Sequence, residues 1–155
     1  MLRRTIAAAI AVLGLTLATA GVSLATSPQV YTWTNPVDVE YFDCGSFQAH
    51  GVWDISHRLT FFLDANGVAT RDMEVVSFVG AFVNPNTGAS IPDSGRVTYW
   101  DTLDADGNYL TTVSTVERHS AYFHGAGRTN FQTGTFRGLD KFDAGIPAAC
   151  AALGA

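Results

Sequence analysis

Basic residues are scarce in this chain of 155: nine lysines and arginines stand against fourteen aspartates and glutamates, and only seven remain once Arg3 and Arg4 are set aside with an N-terminal leader. A surface of that sign repels a phosphate backbone, so nucleic acid is excluded as a partner. Cysteine is scarcer still, with two residues and no C-x-x-C spacing, which removes the usual sequence signal for a redox or zinc site. Several short catalytic motifs are missing as well. There is no phosphate loop and no dinucleotide fingerprint, and Ser46 follows Gly45 without the G-x-S-x-G of a nucleophile elbow. Asn35, Asn84, Asn86 and Asn130 all fail the rule for N-glycosylation. Charged residues make up 15% of the chain, while three tryptophans, five tyrosines and ten phenylalanines make it far too apolar for a disordered tail.

What is present begins with residues 1–25, where Arg3 and Arg4 precede an apolar stretch from Ile6 to Leu17, followed by small residues at Ala18-Thr19-Ala20 and Ser23-Leu24-Ala25. That order describes a secretory signal peptide. No lysine or arginine follows until Arg58, so the flank expected of a retained membrane anchor is missing. Cleavage leaves residues 26–155 as a single secreted, extracellular domain with no attachment to the membrane. In that oxidising compartment Cys44 and Cys150 are expected to form a disulfide. Closing a loop of about 105 residues removes roughly 4–5 kcal/mol of chain entropy from the unfolded state.

Turn signals recur at Asp64-Ala65-Asn66-Gly67, Asn84-Pro85-Asn86-Thr87-Gly88, Asp104-Ala105-Asp106-Gly107 and Gly125-Ala126-Gly127. Each supplies glycine or asparagine where a hairpin end needs positive φ. Between them lie runs of valine, threonine and aromatics without helical periodicity, which makes the domain all-β and antiparallel, with about seven or eight strands. Such a sheet must hide its edges. The expectation is an up-and-down barrel closed by the disulfide, with a β-sandwich as the alternative. Residues 26–41 are expected as an extended arm and residues 143–155 as a C-terminal tail with one helical turn.

The cleanest alternation runs from Phe47 to Leu63, where the odd positions are largely apolar and the even ones mostly polar. The odd face therefore points inward. From Arg71 to Val83 the odd side is apolar, while the even side changes from Asp72 and Glu74, at what reads as a solvated strand end, to Val76, Phe78 and Phe82, so the strand is expected to enter a two-sided environment halfway along. His57 stands on the inward face of its strand between Ile55 and Leu59, with Trp53 and Phe61 beyond them. A buried imidazole needs partners, which leaves two accounts: a core histidine satisfied by a carbonyl or a threonine, or a polar handle in an aromatic-lined cavity. Trp53, His57 and Phe61 are accordingly the candidate ligand-binding residues. Ligation of a metal by His57 with His119 or His124 has no supporting spacing, and Asp104-Ala105-Asp106-Gly107-Asn108 fails the calcium-loop pattern, so neither a metal nor another cofactor is assigned.

Gly51-Val52-Trp53 resembles the G-x-W opening of lipocalins, secreted barrels that carry small apolar ligands and often tie their C-terminal segment down by a disulfide. The chain departs from that family at its T-D-Y motif, for which the nearest stretch is Thr98-Tyr99-Trp100-Asp101. Arg137 would stand for the late arginine, and no room is left for the family's long C-terminal helix. Over residues 40–152 the early Cys-Gly, the even hairpins and Gly125-Ala126-Gly127-Arg128 before the last cysteine also resemble uncharacterised secreted proteins of high-GC bacteria, a resemblance that implies no activity. Three functions are therefore expected: a carrier of a small apolar molecule in the interior, a barrel enzyme of the isomerase or cyclase kind seen in allene oxide cyclases and dirigent proteins, or an interaction module that uses its outer face.

Overall fold

The computed structural model describes residues 26–155, so the expected signal peptide at 1–25 lies outside the described residues. The strands β1 (Gln29–Asp43), β2 (Gln48–Leu63), β3 (Ala69–Val83), β4 (Ser90–Leu103), β5 (Tyr109–Ser120), β6 (His124–Asn130) and β7 (Thr135–Asp140) pair antiparallel in sequence order, and α1 (Phe142–Leu153) follows. Three of the four turn signals sit where hairpins turn. In two of them Asp64 and Asp104 accept backbone N–H groups two and four residues on; these bonds lower the Asp64 pKa, the Asn108 side-chain amide followed by the backbone bonds lowers that of Asp104, and Gly67 and Gly107 adopt the left-handed φ. The fourth signal is different. Gly125 and Gly127 lie inside β6, where a side chain on Gly127 would run into the Phe136 ring, and the hairpin turns at residues 121–123 instead.

The domain is one seven-stranded sheet, not two, and it is not closed. No ladder joins β7 to β1 among the described residues, which corrects both the barrel and the sandwich. The reason is length: β1 has 15 residues and β7 has 6, and the chain leaves β7 directly into α1. The sheet coils nonetheless, far enough for Arg118 of β5 to lie 5.6 Å from the ring of Tyr41 on β1. Phe142 of α1 stands 5.5 Å from Tyr41 and stacks on Phe123 at 4.5 Å, while Ala149 and Leu153 further along pack on Phe82 and Ile91, so the helix closes one end of the coiled sheet. Cys44 and Cys150 are bonded with Cα atoms 5.4 Å apart, tying the β1–β2 turn to α1. Residues 26–41 are extended, but from Gln29 onward as a strand paired along β2, and the tail holds a 12-residue helix in place of a single turn.

Inward positions follow the expected odd numbers in β2, where Ala49, Gly51 and Trp53 are buried. In β3 the faces are reversed, because Phe82 pairs with Gly51 and Gly80 with Trp53, which turns the even residues inward. Val79 is consequently exposed and Asp72 buried, contrary to the solvated strand end expected for Asp72 and Glu74. Space fixes this register. A side chain at Gly51 would strike the Trp53 ring, and one at Gly80 would strike Trp53 and the backbone of Val52, so the indole can settle only where both neighbours are glycine. Around Phe82 the rings of Phe42, Trp53 and Phe123 stand at 5.1, 5.4 and 4.9 Å, and Ala149 and Leu153 of α1 complete the core.

Two outcomes test this packing. Gly51→Ala should lower unfolding stability by about 1–3 kcal/mol, the range for overpacking a filled core, and an unchanged urea midpoint would contradict the fit described. In non-reducing denaturant Cys44 and Cys150 should refuse a thiol reagent, and their double serine variant should lose about 2–4 kcal/mol in chemical unfolding.

Candidate functional site

The inner face divides into two halves of different chemistry. At the end covered by α1, Asp93 of β4 is fully enclosed and accepts three hydrogen bonds, from Trp53 Nε1 at 2.9 Å and from Arg118 Nε and a terminal guanidinium nitrogen at 2.9 and 2.8 Å. The Arg118 guanidinium lies between 5.0 and 5.7 Å from the ring centres of Tyr41, Phe78, Phe82, Phe123 and Phe142. Burial opposes its charge, but the Asp93 carboxylate and the Tyr41 phenol more than compensate and its pKa is raised. Every strong partner of Arg118 is already engaged. This half is therefore a structural knot and not an open site.

The other half carries ionisable groups where a core would carry hydrocarbon. His57 of β2 shares its Nδ1 with Glu74 Oε1 of β3 at 2.8 Å and its Nε2 with Asn35 Oδ1 of β1 at 3.0 Å. The ring lies flat against Trp33 of β1, with centroids 4.5 Å apart and planes within 5°. If Nδ1 donates to Glu74, a neutral ring needs a donor at Nε2, which the Asn35 amide supplies by turning its end over; with the ring protonated, both nitrogens donate as placed. The three residues can thus hold either protonation state without losing a hydrogen bond. Further along the same face Glu74 is paired with Tyr99 and Asp72 with Asp101 across β3 and β4.

Two carboxylates directly opposite one another repel. Asp72, 3% exposed, is pushed up to about 6 by burial first, then by its hydrogen bond to Asp101 and the negative charges of Asp101 and Glu74. Asp72 Oδ2 and Asp101 Oδ1 are buried oxygens that no N–H or O–H group among the described residues reaches, a lack that a proton held between the two carboxyls would meet. Burial, followed by the neighbouring carboxylates, also raises the pKa values of Tyr99 and Tyr109. The arrangement can hold, give and take a proton near pH 6, and the aromatic rings of Trp33, Tyr31 and Phe61 wall it toward β1.

Of the three residues expected to bind a ligand, the structure keeps two together. His57 and Phe61 lie on the open half, whereas Trp53 is locked into the knot through Asp93. His57 is satisfied by a carboxylate and an amide in place of the expected carbonyl or threonine. His119 and His124 face each other across β5 and β6 on the outer face, away from His57, and no group of three or more metal-ligating side chains is assembled among the described residues. Asn35, Glu74, Asp93, Asp101 and Arg118 escaped sequence reasoning. An even-numbered carboxylate pair in a strand whose odd positions are the more apolar looks solvated until the neighbouring strand sets the face. Among the described residues no helix is long and apolar enough to cross a membrane. Comparison with known protein families, curated proteins and solved structures finds no match to this chain.

The two halves predict opposite responses. Arg118→Leu strands the Asp93 charge in the core and should cost about 3–5 kcal/mol, with a far smaller loss when Asp93→Asn is added, because an amide can be buried uncharged. For Asp72 the folded pKa lies above the value of 3.8 for a free carboxyl, so the native state holds the extra proton and this group's contribution to stability declines from about pH 4 to about pH 6 and is level beyond. Asp72→Asn should therefore be more stable than the parent at pH 8, and lose that advantage near pH 4. An Asp72→Asn stability profile parallel to the parent's across this range would contradict the shared proton.

Proposed function

We propose that this is a secreted binding protein that holds a small, mainly apolar molecule with a basic or hydroxyl group on the open half of its inner face. The observation that carries the reading is Trp33: it is 43% exposed at the edge strand, yet held flat against a histidine whose two nitrogens are both tethered. An indole fixed in that way costs little further entropy when a ligand covers it. Phe61, with Tyr31 edge-on at 6.1 Å, extends the apolar wall, and Glu74, Asp72 and Asp101 supply acceptors for the polar group. Export fits the disulfide, which needs an oxidising compartment to persist.

A second reading, an acid–base enzyme of the isomerase or cyclase kind, is favoured by one observation, the Asp72 carboxyl that keeps its proton near pH 6 beside an orphaned oxygen of Asp101. General acids and bases work best with pKa values close to the working pH. Both readings use the same face. They differ in what His57 and Asp72 contribute once a ligand is bound.

Protein recovered from culture medium is the material for the test. Native mass spectrometry should show an adduct of small-molecule mass, and the environment-sensitive dye Nile red should bind with about tenfold lower affinity to Trp33→Ala than to the parent. Equal dye affinity in the parent, Trp33→Ala and Phe61→Ala proteins, with no adduct, would end the binding reading. A recovered ligand chemically converted by the parent but not by Asp72→Asn would decide for the enzyme.

A further inference from the structure

We infer that the outer face of β6 and β7 holds a second site, for an oxyanion carried on a short apolar body, with Arg128 and Arg137 as its charged clamp. The two arginines stand directly opposite each other in the β6–β7 ladder. Like charges in that position repel, and neither forms an ion pair with a carboxylate among the described residues. The nearest outward carboxylate on β5, Glu117, is paired with Ala126 on one side and faces Arg96 on the other. A cup of about 360 Å³ lies between the two guanidinium groups, lined otherwise by Asn130, Thr133 and Thr135. Asn130 Oδ1 is occupied by the backbone N–H groups of Gln132 and Thr133, so its amide nitrogen is left as a donor. The cup thus offers two guanidinium forks, an amide N–H₂ and hydroxyls, with no anionic side chain in its wall, the donor set that a phosphate, sulfate or carboxylate group requires.

The body of the ligand is indicated by what adjoins the cup. Arg128 also forms one end of a trough of about 580 Å³ that runs across β5, β4 and β3 over Val113, Trp100 and Met73 to Phe62, with Arg71 lying over the Phe62 ring at 5.0 Å; Asp72 and Asp101 also border it, so it suits an apolar body and not a second anion. Trp100 is 42% exposed in this trough. Cup and trough share Arg128, so a headgroup bound by the arginine pair has an apolar path leading away from it. The arginine cup lies on the opposite face from His57 and does not depend on the function proposed above, although the trough beside it shares Asp72 and Asp101 with that site.

The probes are inorganic phosphate, hexyl phosphate and vesicles of phosphatidylglycerol in phosphatidylcholine, each titrated into the secreted protein at low ionic strength. Hexyl phosphate should bind about tenfold or more tightly than inorganic phosphate, and should shift Trp100 fluorescence, identified by its loss in Trp100→Phe. Replacing both arginines, Arg128→Gln with Arg137→Gln, should weaken both phosphates by at least tenfold while leaving the thermal midpoint unchanged or raised, since a repulsive pair has been removed. Raising salt should weaken binding of the parent and barely affect the residual binding of the double variant. Trp100→Ala should bring hexyl phosphate down to the affinity of inorganic phosphate. The proposal is overturned if the double glutamine variant, folded by its circular dichroism, binds hexyl phosphate as the parent does. It is equally overturned if only the vesicles bind, which would make the partner a membrane surface and not a soluble molecule.

Discussion

Asp93 is the constraint on which the rest of the fold depends. A carboxylate with no exposed surface is tolerable in a protein only when its hydrogen bonds are supplied in full, and here three donors from two other strands supply them. Those donors fix two large side chains in turn. Trp53 must reach across β3 to Asp93, and it can do so only because Gly51 and Gly80 leave room for its ring. Arg118 must come in from β5, and its guanidinium then becomes the hub against which five aromatic rings from β1, β3, the β5–β6 turn and α1 are packed. A sheet that would otherwise lie open is drawn into a coil around a single ion pair.

That coil explains why the domain needs no closed ladder. The helix and the disulfide, both at the end of the knot, cover the inner face. They cover it at one end only. At the other end the inner face remains accessible, and it is there that the chain places His57, Glu74, Asp72 and Asp101, groups that a purely structural core would avoid. Stability and chemistry are thus separated along the strands: β2 carries Trp53 for packing and, four residues on along the same face, His57 for the candidate site. The division is what a rigid platform for a ligand requires.

Much of this was legible before the structure. Two cysteines leave one pairing, and Cys44 and Cys150 form it. The Asp-x-x-Gly turns at 64–67 and 104–107 declare themselves because aspartate at the first position and glycine at the last satisfy the turn locally. The alternation of β2 was legible because one face is buried from Ala49 to Trp53. β3 misled for a physical reason: both its faces carry apolar residues, so its own pattern does not say which side is in, and only the pairing of Phe82 with Gly51 decides it. The candidate site suffered from the same limit, since His57 could be singled out by its position, while its partners Glu74 and Asn35 come from two other strands.

The amino-acid sequence by itself determined the class of the molecule: an all-β, antiparallel domain of about seven strands, with hairpins at three of the four marked turns and one disulfide. Those features follow from local chemistry, from turn geometry, strand periodicity and cysteine count, each of which is complete within a few residues. Only the tertiary structure decided that the sheet stays open, that α1 closes one end of it, that β3 presents its carboxylates inward, and that Arg128 stands against Arg137. These depend on which residues meet across strands far apart in the chain, and a shift of register by one residue would reverse every one of those facings.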